Sequence, residues 1–119
     1  MKNINFFREF FQRYPHLKFQ KNSIKHSFEL LNRHLKNKNF LFIIGNGGSA
    51  SDSDHIAGEL LKGFKLTRSL KKKNQLSLGL NLFKNIQNAL SVIPLTNFNA
   101  FNTAFGNDCN FDYTFAQLV

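Results

Sequence analysis

Phe40-Leu41-Phe42-Ile43-Ile44-Gly45-Asn46-Gly47-Gly48-Ser49-Ala50-Ser51-Asp52 is the stretch that decides how this 119-residue chain is read. Residues 40–44 form a continuous apolar run closed off by Asn39 and Gly45. Its length and branched side chains predict a strand buried on both faces, as in a parallel sheet. Residues 45–49 break the pattern. A helix is predicted over 50–64, with Ala50, Ala57, Leu60, Leu61 and Phe64 on its apolar side. Strand, glycine-rich turn and helix are the opening of a βαβ unit.

The turn has the chemistry of an anion site. Its glycines permit positive φ and let backbone N–H groups approach a ligand closely. Ser49 and Ser51 add hydroxyl donors. The following helix points its free N–H groups and the positive end of its dipole at the same place, which suits phosphate. A Walker loop needs Gly-Lys-Ser/Thr at its end, and no Lys stands here; a dinucleotide fingerprint needs a third glycine where Ala50 stands. A glycine-rich turn without a ligand is the remaining reading.

His55 and Glu59 lie one turn apart on the same predicted helix, and Asp52 shares their face. A His and a carboxylate at this spacing can share a metal or move a proton. Away from an anion loop, the same pair would be an ordinary surface pair. Asn107 and Asp108 form a second candidate site, in a turn predicted over 106–110 where polar side chains can reach a ligand. Asx-turn chemistry accounts for that pair equally well.

Working outward, helices are predicted over 3–14 and from Asn22 or Ser23 to Leu35. Phe6, Phe7, Phe10 and Phe11 give the first its apolar face, and Pro15 ends it. Ile24, Phe28, Leu31 and Leu35 line one side of the second. Beyond the loop, 65–78 reads as a basic, polar linker and 80–90 as a weaker helix. A second short strand is expected over 91–95 despite Pro94, then a helix over 98–105 and another from 111 onward.

Composition sets the outer limits. Hydrophobic residues make up 42% of the chain, enough for a packed interior and one small domain. Sixteen Lys and Arg against seven acidic residues give a formal charge of +9, which suits anionic partners. The surplus is spread along the chain, however, and no ordered basic–aromatic array appears, so nucleic acid is not an expected partner. The single Cys109 excludes an internal disulfide framework and fits a reducing compartment. No apolar stretch approaches the ~18 residues of a membrane-spanning helix. A cytoplasmic protein without membrane contact is expected.

Residues 42–52, followed by His55-Ile56-Ala57-Gly58-Glu59-Leu60, closely resemble the signature of the phosphoheptose isomerase branch of the SIS (sugar isomerase) family. Leu95-Thr96, Thr103-Ala104-Phe105-Gly106-Asn107-Asp108 and Phe115-Ala116-Gln117 resemble the family's next block. The resemblance implies a three-layer α/β fold of Rossmann or flavodoxin-like type, with a parallel sheet between helices. It implies two preceding N-terminal helices and a homotetramer. It also implies isomerisation of sedoheptulose 7-phosphate to D-glycero-D-manno-heptose 7-phosphate, toward ADP-heptose and lipopolysaccharide. By position, Asn46, Gly47 and Gly48 would contact the sugar phosphate, and Ser49 would help bind its phosphate. Asn107 and Asp108 would hold sugar hydroxyls. His55 and Glu59 would ligate zinc, with Glu59 also acting as the catalytic residue beside the carbons that exchange a proton.

Two departures qualify what the resemblance implies. Residues 65–88 look like an insertion, and the family's Ser/Thr-rich second phosphate loop and later Gln and His do not follow. The expectation is one incomplete SIS domain over 1–119, with N-terminal helices at 1–38 and the first βα units at 39–119. Its zinc site would lack ligands, and the chain alone would be inactive. The competing expectation is a non-catalytic SIS protein that binds a phosphosugar or a protein partner, such as the bacterial replication initiator.

Overall fold

The computed structural model describes residues 6–119. The chain divides into two compact units, Met1–Asn37 and Lys38–Val119. In the first, helix α1 spans Phe6–Arg13; the expected start at Asn3 lies outside the described residues. Phe11 is its buried residue, with Phe10 edge-on against it at 5.1 Å between ring centres. Pro15 stops α1 as expected but then opens a 3₁₀ segment, Pro15–Gln20, which runs directly into α2, Lys21–Lys36. Neither Asn22 nor Ser23 caps α2: the cap position falls on Gln20, and no side chain bonds there. The preceding 3₁₀ turn accounts for this, because it already supplies carbonyl acceptors and leaves fewer orphan amides to cap.

The second unit is built on strand β1, Leu41–Ile43, and α3, Gly48–Leu61. A 3₁₀ turn at Lys72–Asn74 and two short helices follow, α4 Gln75–Leu78 and α5 Leu80–Asn85. Strand β2, Val92–Pro94, pairs parallel with β1 in the register Leu41–Val92, Phe42–Ile93 and Ile43–Pro94. This is the expected βαβ arrangement, an α/β fold with a parallel pair. Pro94 is tolerated because it ends the strand, where its missing N–H removes no interior ladder bond. A 3₁₀ turn at Leu95–Asn97 leads into α6, Asn99–Phe105.

The expected turn at 106–110 is instead a π-helical turn, Gly106–Asn110, that continues α6. A 3₁₀ turn, Phe111–Tyr113, and a short α7, Thr114–Gln117, follow. Asn110 closes the π turn by accepting a hydrogen bond from the Asp112 amide at 3.0 Å.

Burial corrects the strand expectation. Leu41 and Ile43 are half-buried, whereas Phe40, Phe42 and Ile44 on the opposite face are exposed. Alternation along a strand puts these two sets on opposite faces, so one face of the pair is covered and the other open. The interior lies where α3 packs on β2, with Ala57, Val92 and Leu95 buried. Ser53 is buried beside them, satisfied by donating to the Ser49 carbonyl at 2.8 Å.

The basic linker is also more than solvated chain. The Arg68 guanidinium donates to the carbonyls of Leu60, Lys62 and Asn88. Gln87 Oε1 accepts from the Gly63 amide at 2.9 Å, and the Leu90 amide donates to Leu60 at 3.2 Å. These bonds fill the open carbonyls at the C-terminus of α3 and place a cation at the negative end of its dipole. They also stop α3 at Leu61, three residues short of the expected end, because Lys62 turns extended to meet them. Charged hydrogen bonds of this type each contribute about 1.5–3 kcal/mol. Arg68→Met should therefore lower the unfolding free energy by about 2 kcal/mol in urea denaturation, while Lys71→Met stays within about 0.5 kcal/mol. Equal stability of the two variants would show that the clamp contributes nothing.

Candidate functional site

Both strands end at the same edge of the sheet, and the segments leaving them define a cleft. Residues 44–47 carry the chain from β1 into α3, and the turn beginning at Leu95 carries it from β2 toward α6. In parallel sheets the carboxyl ends of adjacent strands are where ligands bind. The turn after β2 is tied to α3, where Thr96 Oγ1 donates to Asp54 Oδ1 at 3.2 Å.

Glycine is required at two places in the first segment. Gly47 has φ 56° and ψ −124°, a conformation that side-chain-bearing residues avoid. At Gly45, a Cβ would collide with the backbone carbonyl of Ser49. That carbonyl is fixed by the buried Ser53 hydroxyl, so it cannot retreat freely. The Ser49 and Ala50 amides are spent inside the turn, on the carbonyls of Asn46 and Gly47. Among the described residues, the amides of Gly47 and Gly48 make no hydrogen bond. They stand at the N-terminus of a 14-residue helix with no acidic residue in its first turn. Unpaired N–H groups and a helix dipole in one place attract an anion.

The cleft has a volume of about 390 Å³, within the range of small-molecule sites. Gly45, Asn46, Gly47 and Ala50 form its near wall. Thr96, Asn102, Phe111, Asp112, Thr114 and Phe115 form the far wall. Of the sequence-derived candidates, Asn46 and Gly47 line it. Gly48 and Ser49, on the first turn of α3, are not among its lining residues. Of the far-wall residues, Thr96 and Phe115 fall in the blocks that carry the family resemblance; Asn102, Phe111, Asp112 and Thr114 were not singled out from sequence.

Asn107 and Asp108 are exposed on the π-helical turn, with Asn107 Nδ2 donating to Asp108 Oδ1 at 2.9 Å. They do not line the cleft. His55 and Glu59 lie one turn apart on α3, as the spacing dictates, and also stand outside the lining. Glu59 Oε1 pairs with Lys62 Nζ at 2.9 Å, and Glu59 Oε2 is buried without a partner. An imidazole, and a carboxylate oxygen short of a partner, are donor types that zinc accepts. Their number falls short: among the described residues no three His, Cys, Asp or Glu side chains converge, while a catalytic zinc holds about three protein ligands. These residues do not by themselves form a zinc site.

A larger cavity of about 600 Å³ lies in the first unit, between Phe7, Phe11 and the cations Arg8, Lys18, Lys21 and Lys25. It offers no carboxylate, imidazole or glycine turn, so it lacks groups for proton transfer. No helix of the described residues is long and apolar enough to cross a membrane.

Comparison with known proteins finds phosphoheptose isomerases. A phosphoheptose isomerase of Bradyrhizobium sp. (strain ORS 278) is 37% identical over 79 residues, 66% of this chain. The chain is related to the phosphoheptose isomerases. Those of Helicobacter pylori (strain P12) and Crocosphaera subtropica are 34% and 35% identical, over 81% and 82% of the chain. The matched regions span only 30%, 40% and 40% of these three relatives. No protein-family model matches the chain.

The glycine turn makes a graded prediction about substitution. Gly45→Ala should lower the melting temperature most, because the new methyl meets a fixed carbonyl. Gly47→Ala should cost about 1–2 kcal/mol for its positive φ. Gly48→Ala meets open space and should stay within about 0.5 kcal/mol. Thermal unfolding of the three variants checks the order, and a Gly45→Ala protein as stable as the parent would contradict the turn geometry.

Proposed function

We propose that the cleft binds a sugar phosphate and that the chain is part of a sugar-phosphate isomerase. The observation that carries this reading is the pair of unbonded amides at Gly47 and Gly48, at the start of α3 and beside an open cleft. The names of the matched relatives support the isomerase class. In this reading the substrate is sedoheptulose 7-phosphate and the product D-glycero-D-manno-heptose 7-phosphate, feeding ADP-heptose synthesis for surface polysaccharide. Asn46, Gly47 and Gly48 contact the sugar phosphate and Ser49 helps bind its phosphate; Asn107 and Asp108 hold sugar hydroxyls by the family resemblance, although they stand outside the cleft lining here. The parent architecture is a three-layer SIS domain, a cytoplasmic homotetramer.

The reaction is a proton shift. A base removes a proton from C1 of the ketose, the enediolate that forms is reprotonated at C2, and a proton passes from O1 to O2 to leave the aldose. In this reading Glu59 is the base; its Oε2 has no partner while Oε1 is held by Lys62, but it is buried outside the cleft lining, so proton transfer requires the carboxylate to be brought to the cleft. His55 and Glu59 would supply two donors to a zinc, and the other ligands would come from outside these residues.

A second reading, binding without turnover, is favoured by one fact: neither His55 nor Glu59 lines the cleft. The two readings separate in one experiment. Calorimetric titration should detect sedoheptulose 7-phosphate, with Ser49→Ala weakening it several-fold. Turnover with added zinc should run ~10²-fold or more below that of the same chain extended by the remainder of a full-length relative, since one missing acid–base group costs that much. Near-equal rates would show the site to be complete within these residues, and no binding would remove the phosphosugar reading.

A further inference from the structure

The two walls of the cleft differ in hydrogen-bonding character. The near wall carries Gly47, whose amide makes no hydrogen bond among the described residues, and the equally unbonded Gly48 amide follows it at the start of α3. On the far wall two hydroxyls are already committed: Thr96 Oγ1 to Asp54 at 3.2 Å, and Thr114 Oγ1 to the Phe111 carbonyl at 2.8 Å. What remains there is the Asn102 side-chain amide, which can donate and accept, and the Asp112 carboxylate, which only accepts. Asn102 Oδ1 is buried and has no partner. The Asp112 carboxylate makes no hydrogen bond or ion pair among the described residues; only its backbone amide is used, on Asn110. No Lys or Arg lines the cleft to neutralise it.

A phosphate seated on the near wall leaves the rest of the ligand against the wall that bears the Asp112 carboxylate. Sugar hydroxyls are donors and suit it. A second phosphate carries only acceptors and like charge, and would meet an uncompensated carboxylate. Building on the phosphosugar reading above, we propose that Asp112 is a specificity residue that reads the hydroxyl-bearing end of the ligand, so that the cleft accepts sugars with one phosphate and rejects sugar bisphosphates. Among the described residues the Asp112 carboxylate makes no hydrogen bond or ion pair, so its replacement should change recognition and leave folding intact.

The test is calorimetric titration of the 119-residue chain with sedoheptulose 7-phosphate and with sedoheptulose 1,7-bisphosphate. Asp112→Asn and Asp112→Ala are run beside the parent, and circular dichroism confirms their folding. The parent should prefer the monophosphate by about tenfold, because like-charge contact at a partly open site is screened but not abolished. Asp112→Asn should reduce that preference to about twofold, mainly by admitting the bisphosphate. Asp112→Ala, which also loses the acceptor, should bind the monophosphate more weakly than Asp112→Asn does. A parent that binds both sugars equally, or a preference that survives both substitutions, overturns the role of Asp112 and leaves the phosphosugar site standing. A parent that binds neither sugar overturns the phosphosugar reading itself.

Discussion

The close approach of Gly45 to the Ser49 carbonyl is the constraint on which the second unit depends. It lets the chain leave β1 and enter α3 within a few residues, with Gly47 at φ 56° making the reversal. The sharpness of the turn has two consequences. It brings α3 back onto the strand pair, where Ser53 and Ala57 are buried near Val92 and Leu95. It also leaves the Gly47 and Gly48 amides, at the N-terminus of α3, without a hydrogen bond among the described residues. One local geometry therefore sets both the packing of the βαβ unit and the proposed anion site.

The far end of α3 is fixed by different means. Arg68 and Gln87, from a segment rich in Lys and Asn, tie the last turn of α3 to the chain entering β2. Helix α3 is thus held at its start by backbone sterics and at its end by a guanidinium on three carbonyls. Between these anchors the Thr96–Asp54 bond ties the turn after β2 to α3. The cleft lies at the most constrained place in the unit, where a binding site needs its donors pre-positioned.

Much of this was legible in the sequence, because the signals were local. An apolar run ending in glycine gives a strand followed by a turn, and apolar spacing over 50–64 gives the helix. The parallel pairing of β1 with β2 followed from that order. Signals that depend on distant partners were not legible. Arg68 read as one more surface cation, since its acceptors are backbone carbonyls that carry no residue identity. The π-helical turn at Gly106–Asn110 read as an open turn, because glycine and two Asn residues favour turns locally while the continuing α6 geometry decides otherwise. The open face bearing Phe40, Phe42 and Ile44 was unexpected for the same reason: an apolar run reports what a strand can bury, not what covers it. Within the cleft, the near wall was foreseen from its glycines, while Asn102 and Asp112 joined it only through the fold.

The relatives are longer than the matched region by more than half, so the cleft described here is what this chain contributes on its own. Its central property is an anion site made by two backbone amides. The most direct measurement is a ¹H–¹⁵N correlation spectrum of the labelled chain during titration with sedoheptulose 7-phosphate. The account predicts that the Gly47 and Gly48 amide signals move most, downfield and saturably, with smaller shifts at Asn46 and Asp112. Gly47 and Gly48 signals that stay fixed while Lys18, Lys21 and Lys25 move would place the anion on the basic first unit and contradict it.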